Sequence, residues 1–314
     1  VKIKIGTRGS ALARTQSADI LKRMESLGHE CETVVIRTAG DKDQVRPFGE
    51  IGAPGLFVRE IEAALLDGRI DLAVHSYKDL PTEGPDALTV AAIPERVDPA
   101  DCLLIRQEAF EKPSGAAVLA DGMLPLRPAA LVGTASSRRQ VLLQEMRPDL
   151  RIESLRGNVP TRLDRLRKGD FDAVLLATAG LSRLEKESRF LPAGPLDFRG
   201  IERVRLDPAL FVPAPAQGAL ALQTRRDDED LVQAVRAVHD AKAAIPLSAE
   251  RHLQALVEGG CQLPFGAWCR TLEGGDIELL AVMERAGRVR RSRTRGTDPL
   301  RTAAAAWEEL QQDR

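Results

Sequence analysis

The sequence predicts two consecutive α/β domains followed by a small α+β domain. Three observations carry that expectation. Short apolar strands alternate with amphipathic helices from residue 2 to residue 74; the alternation breaks off and restarts near residue 103; and from residue 241 onward the grammar changes to a helix, three strand-like runs and a final helix. With 314 residues, 43% hydrophobic and 29% charged, the chain has the composition of an ordinary globular protein and material for more than one core.

Residues 2–5 read as a strand. Ile20, Leu21, Met24 and Leu27 place a helix over 11–27, with Gly28 as its C′ residue. Residues 33–36 form a second strand. The polar stretch 38–54 has little apolar content to offset the entropy of ordering and is expected to be mobile. An amphipathic helix over 56–66 stops near Gly68, and 72–74 is the next strand, so the order is that of βαβ units and implies a parallel-type sheet with helices on both faces. The second series has strands at 103–105, 131–132, 152–155 and 173–176. Its helices lie at 137–146 and after Pro160, which suits a first helical turn as Gly169 suits an exit. Residues 185–215, rich in Pro, Gly and Arg without a period, read as a crossover. A helix over 247–257, a Gly-Gly turn, strands at 265–272, 277–283 and 288–293 and a helix through Leu310 complete the chain.

No apolar run reaches the roughly 18 residues needed to span a bilayer, and the N-terminus lacks the apolar region of a signal peptide, so a cytoplasmic protein is expected. Four cysteines without CxxC spacing and four scattered histidines argue against a disulfide scaffold or a structural metal site. A net charge of −1 and 4% aromatic residues argue against a nucleic-acid binder, which would need stacking platforms. Of the 45 basic residues only 9 are Lys. Genomic base composition favours Arg in the same way, but guanidinium groups are also the best bidentate ligands for carboxylate and phosphate, so position must decide which arginines matter.

Open α/β sheets bind ligands beyond the carboxyl ends of their strands. Gly6, Thr7, Arg8, Gly9 and Ser10 follow the first strand. His75, Ser76, Tyr77, Lys78 and Asp79 follow the strand at 72–74, and Gly133, Thr134, Ser136, Ser137, Arg138 and Arg139 follow the strand at 131–132. Arg156, Gly157 and Asn158 lie after the next strand, with Arg162 on the helix beyond. Such a gathering describes a cleft for a ligand with many negative groups. The absence of a P-loop or GxGxxG at these junctions argues against nucleotides. Asp79, beside Lys78, is the one acidic residue at the first three junctions; it suits stabilisation of a developing cation, and an Asp before Leu-Pro equally suits a turn. Cys261, in EGGCQLP, sits in a Gly-flanked loop where a thiol serves as nucleophile or attachment point, or is incidental.

Taken together, GTRGSALARTQ at 6–16, GLFVREIEAALLDGRIDLAVHSYKDLP at 55–81, GTASSRRQ at 133–140, SLRGNVPTRL at 154–163, ATAGLSRL at 177–184 and EGGCQLPFGA at 258–267 resemble the porphobilinogen deaminase family in order along nearly the whole chain. The resemblance implies two periplasmic-binding-protein-like α/β domains, 1–98 with 217–238 and 103–212, and a small C-terminal α+β domain, 241–314. It implies that Cys261 holds a dipyrromethane primer by a thioether and that Asp79 is the catalytic carboxylate. Arg138, Arg139, Arg156, Arg162, Thr134, Ser136, Ser76 and Lys78 would bind the acetate and propionate groups of primer and growing chain; Arg8, Ser10 and Arg183 would serve incoming substrate, with Gln217 as a further contact. The implied reaction joins four porphobilinogen molecules with loss of ammonia and releases hydroxymethylbilane. The implied setting is a cytoplasmic monomer without metal, nucleic-acid or membrane partners. Ala216 departs from the Gly common before Gln217, Pro54 stands where Lys is frequent, and 106–127 and 186–213 are longer than usual. A non-catalytic anion-binding or regulatory protein is the alternative, and it would need neither Asp79 beside Lys78 nor the Cys261 loop.

Overall fold

Strand β1 (Lys2–Arg8) alternates exposed lysines with buried Ile3 and Ile5 and runs on through buried Gly6 and Thr7, so its carboxyl end enters the core before the chain turns. It pairs in parallel with β2 (Glu30–Ile36) and with β3 (Leu72–Ser76). Helix α1 (Ala11–Ser26) begins at Ser10, whose hydroxyl accepts from the Ala13 amide at 3.3 Å, and is left by way of Gly28 at φ +88°. The computed structural model describes residues 2–36, 56–111, 124–258 and 263–312. The expected mobile stretch 38–54 therefore lies outside the described residues.

The chain divides into two units, Val1–Val97 with Ser182–Pro195 and Gly218–Ala244, and Asp98–Leu181 with Leu196–Gln217 and Ile245–Arg314. In the first, the sheet order is β2-β1-β3-β10-β4, with β4 spanning Leu88–Ala92 and β10 Leu220–Arg225. One face packs Ile3, Ile5, Leu72, Val74 and Leu222 against Ile20 and Met24 of α1 and against Leu231 and Val235. The other packs Ile36, Ile70 and Ala73 on Ile61, Ala64 and Leu65 of α2 (Leu56–Leu66).

The second unit repeats the plan. Its sheet runs β7 (Arg151–Glu153), β6 (Leu131–Gly133), β8 (Ala173–Ala177), β5 (Asp101–Arg106), β9 (Ile201–Arg205). Helix α3 (Ser137–Met146) covers one face through Leu142 and Leu143; helix α4 (Val159–Arg167) covers the other through Leu163 and Leu166. Helix α5 (Thr178–Lys186) begins in this unit and ends in the first, and α6 (Glu229–Arg236) belongs to the first. The C-terminal part is an antiparallel sheet, β11 (Phe265–Thr271), β12 (Ile277–Arg285) and β13 (Arg288–Gly296), packed on α7 (Ala241–Glu258) and α8 (Pro299–Gln311). The two α/β parts and the small C-terminal sheet with helices are thus all present.

The structure corrects several details. Both large sheets are mixed: β10 runs antiparallel to β3 and β4, and β5 antiparallel to β8 and β9. The supposed crossover 185–215 contains a 3-10 turn at Ser188–Phe190 and strand β9, whose half-exposed edge position leaves it little apolar signal. The strand expected at 152–155 ends at Glu153, because Leu155 turns into the core with Leu163 and Leu166. Helix α7 starts at Ala241, ahead of Pro246, where the Asp240 carboxylate accepts from the amides of Lys242 and Ala243.

Ala216, the departure noted above, has φ +57° and is fully buried, which explains why glycine suits this position. Ala216→Gly should change stability by no more than about 1 kcal/mol, whereas the β-branched Ala216→Val should cost at least about 2 kcal/mol in urea unfolding.

Glu278 of β12 is fully buried beneath three guanidinium groups: Arg270 Nη2 at 2.6 Å, Arg293 Nε at 2.9 Å and Arg295 Nε at 2.8 Å. Register places Arg270 and Arg295 directly across the ladder from it. The hydrogen bond from Arg293, then those from Arg270 and Arg295, hold Glu278 down to about 2 against the opposing effect of burial. A carboxyl depressed in the folded state stabilises above its unfolded value, near 4.5, and the stabilisation is lost as pH falls toward 2. Glu278→Gln should therefore lower Tm at pH 7, and the gap to the unmodified protein should narrow at pH 3. Arg290 donates to the carbonyls of Leu310, Gln311 and Gln312 and closes the end of α8.

Candidate active site

In the first unit, Arg8 ends β1 and Ser10 caps α1. Ser76 ends β3, where its hydroxyl accepts from Gln16 Nε2 of α1 at 2.9 Å, so the end of this strand is tied to α1 by a side-chain bond. The chain then makes a 3-10 turn over Tyr77–Asp79, held by Tyr77 N–H to the Ala219 carbonyl at 3.0 Å and closed by Leu80 N–H to the Tyr77 carbonyl. Asp79 is the exposed last residue of that turn, and Lys78 is half-buried beside it. Arg183 reaches the Gly218 carbonyl through Nη2 at 2.9 Å, and burial pushes its guanidinium down to about 10. Beneath β3, His75 shares a hydrogen bond of 2.9 Å with Gln223 Oε1, whose amide donates to Glu62 at 3.0 Å; burial lowers His75 to about 4, so it is neutral near pH 7.

In the second unit the strand ends hold a tighter constellation. Gly133 closes β6 because a Cβ there would meet Leu155 Cδ2 at 2.8 Å and Phe171 Cδ1 at 2.9 Å. Thr134 Oγ1 accepts from the Ser136 amide at 3.2 Å, and Ser136 Oγ accepts from the Arg139 amide at the start of α3, so each hydroxyl keeps its own proton to donate. Asn158 caps α4, and Arg162 is anchored by Nε to the Gly157 carbonyl at 2.7 Å. Burial, then the charges of Arg139 and Arg156, push Arg162 down to about 10. The geometry thus gathers Arg139, Arg156 and Arg162 into one field of positive charge, with two hydroxyls at the same strand ends.

Three of the expected residues have a different setting. Arg138 and Arg139 are buried side by side on Asp101, with Arg138 Nη2 at 2.8 Å from Oδ2 and Arg139 Nη2 at 2.7 Å from Oδ1; each also donates through Nη1, to the Val212 and Leu175 carbonyls. Gln217 donates to Asp101 Oδ1 at 2.9 Å and to the Pro99 carbonyl at 2.8 Å. Burial opposes ionisation of Asp101, yet the charges of Arg138 and Arg139 and the hydrogen bonds of Arg139 and Gln217 hold it well below the usual carboxylate range. Asp101 was missed in the sequence. Its signal was an acidic residue opening the apolar strand that continues through Cys102, Leu103, Leu104 and Ile105, where burial demands a cationic partner. Cys261 lies outside the described residues. Among those described, no group of His, Cys, Asp and Glu could hold a metal ion and no helix is long and apolar enough to cross a membrane.

Two α/β units with capped helix N-termini, and with guanidinium groups, hydroxyls and the exposed Asp79 carboxylate after their strands, have the make-up of an anion-binding α/β protein. The family model described as porphobilinogen deaminase, dipyromethane cofactor binding domain, matches residues 3–233. The chain is 40% identical to a porphobilinogen deaminase of Syntrophobacter fumaroxidans (87% of this chain, 81% of that one) and 43% identical to one of Maridesulfovibrio salexigens (88% and 83%). It is 38% identical to one of Oceanobacillus iheyensis over 98% of this chain and 94% of that one. The chain belongs to the porphobilinogen deaminase family.

Proposed function

We propose that the protein is the transferase of tetrapyrrole biosynthesis that deaminates porphobilinogen, joins four molecules head to tail on a covalent dipyrromethane primer and releases hydroxymethylbilane. The observation that carries the reading is the cluster of Arg139, Arg156 and Arg162, in which burial, then the charges of Arg139 and Arg156, lower the affinity of Arg162 for its proton. Each pyrrole of the substrate brings two carboxylates, which would relieve that repulsion.

The donor set fits the primer. Beside the three guanidinium groups stand Thr134 and Ser136 with protons to donate, and the buried Nε of Arg139 has no hydrogen-bond partner among the described residues. These residues would hold its acetate and propionate groups, with Cys261 as the attachment point. When bound, the primer supplies a pyrrole with a free α-carbon as the nucleophile. Ser76 and Lys78 would bind carboxylates of the primer and growing chain as well, and Arg8, Ser10 and Arg183 would orient those of the incoming substrate. Asp79, carried on a turn whose backbone is anchored at Ala219, would stabilise positive charge developing on the deaminated substrate and accept the proton that must leave. Asp101 and Gln217 act from behind, on Arg138 and Arg139, and not on the ligand. The same reading takes the chain as a cytoplasmic monomer of three domains, with Asp79 in 1–98 with 217–238, the arginines in 103–212 and Cys261 in 241–314.

The test is turnover of porphobilinogen by purified protein, followed by ammonia release and by the absorbance of the bilane product. Saturable binding of porphobilinogen without ammonia release would overturn the enzyme in favour of a binding protein.

A further inference from the structure

Besides Glu278, two carboxylates among the described residues of the second unit are fully buried. Asp101 opens β5; Glu250 lies in α7. Glu250 Oε2 accepts from the Ala216 amide at 2.7 Å and Oε1 from the Cys269 amide of β11 at 2.7 Å. The next residue after Ala216 is Gln217, which donates to Asp101, and Asp101 in turn holds Arg138 and Arg139. Bonds therefore run without a break from the helix and strand that flank residue 261 in sequence, through the left-handed turn at Ala216, to the arginine cluster. Packing follows the same line. Gly266 of β11 lies so close to the 212–213 backbone that a Cβ would meet the Val212 and Pro213 carbonyls at 2.8 and 2.9 Å and Arg138 Cδ at 3.0 Å, and the Ala267 amide donates to the Pro213 carbonyl at 3.0 Å.

Placing buried carboxylates where backbone amides and guanidinium groups must satisfy them fixes the separation of the elements concerned, because any slip leaves an unpaired charge in a dry site. We propose that Glu250 and Asp101, linked through Ala216 and Gln217, form a positioning brace that sets the placement of α7 and β11, the elements that flank the attachment residue in sequence, relative to the arginines that take the primer's carboxylates. The inference rests on the functional reading above. The brace touches neither substrate nor reacting atoms, and acts by keeping the primer's terminal ring in register.

A brace differs from mere structural support in what it does to molecules that are folded and loaded. Glu250→Gln keeps the shape but turns an amide N–H toward one of the two backbone donors. Gln217→Met removes the middle link and leaves both Asp101 and Glu250 in place. Each variant should be assayed as purified holoenzyme, with the loaded fraction taken from intact mass and kcat expressed per loaded molecule. The expected result for both is a fall in kcat of about tenfold to a hundredfold, as for an ångström-scale misplacement, with KM for porphobilinogen within about twofold of the unmodified protein. Loaded variants with unmodified kcat, however much their melting temperature falls, would overturn the brace; so would a change in KM alone. If Glu250→Gln fails to fold, Gln217→Met decides by itself. An unmodified protein that turns over no porphobilinogen would instead overturn the functional reading, and the brace with it.

Discussion

Cys261→Ala is expected to abolish turnover and to remove from the purified protein a mass equal to two linked pyrrole units. The other cysteines give the primer no comparable anchor. Cys102 and Cys269 are buried, and burial together with Glu25 and Glu30 pushes the Cys31 thiol up and away from the reactive thiolate. Without the primer's carboxylates, Arg162 stays under the charges of Arg139 and Arg156 with nothing from the ligand to offset them. The primer-free variant should therefore melt several degrees lower and be cleaved faster by proteases, since anything held only by the native state favours it. Intact-mass spectrometry and thermal melts of both proteins check the prediction. An active unmodified protein of unadorned mass, or an adduct mapped by peptide analysis to another cysteine, would sink the assignment.

Asp79→Asn should lower kcat by about 10²-fold or more while fold and primer survive. Asparagine has the same size and can accept hydrogen bonds, but it holds no charge and takes no proton. Asp79 is exposed at the end of its turn, and the turn is anchored through the backbone of Tyr77, so the substitution takes away chemistry and leaves the scaffold. Loaded fraction by intact mass and melting temperature should match the unmodified protein. Near-normal turnover would remove Asp79 from the mechanism and leave the turn as its whole purpose.

The unequal legibility of the site has a physical origin. Ser10, Ser136 and Asn158 were read as residues that follow strands; the structure adds that each caps its helix through an amide three positions on. The strand-end position of Arg156 and Arg162 was readable in the same way: strand, turn and helix follow one another within a few residues. The setting of Arg138 and Arg139 was not. Their partner Asp101 lies 37 and 38 residues away along the chain, and Gln217 lies 116 residues from Asp101.

The sheets show the same division. Strands β1, β2 and β3 announce themselves by apolar runs between helices, but β4 and β10 pair across a long separation, and nothing near β10 in sequence says that it enters antiparallel between β3 and β4. Periodicity, capping and the order of motifs, which depend on neighbours in the chain, determined from sequence alone the two α/β parts, the C-terminal appendage, the basic strand ends and the family. Which arginines share a buried carboxylate, which of them bear on one another, and why Ala216 sits in a glycine's conformation were decided only by tertiary structure, because burial and charge act through space between residues that the chain keeps far apart.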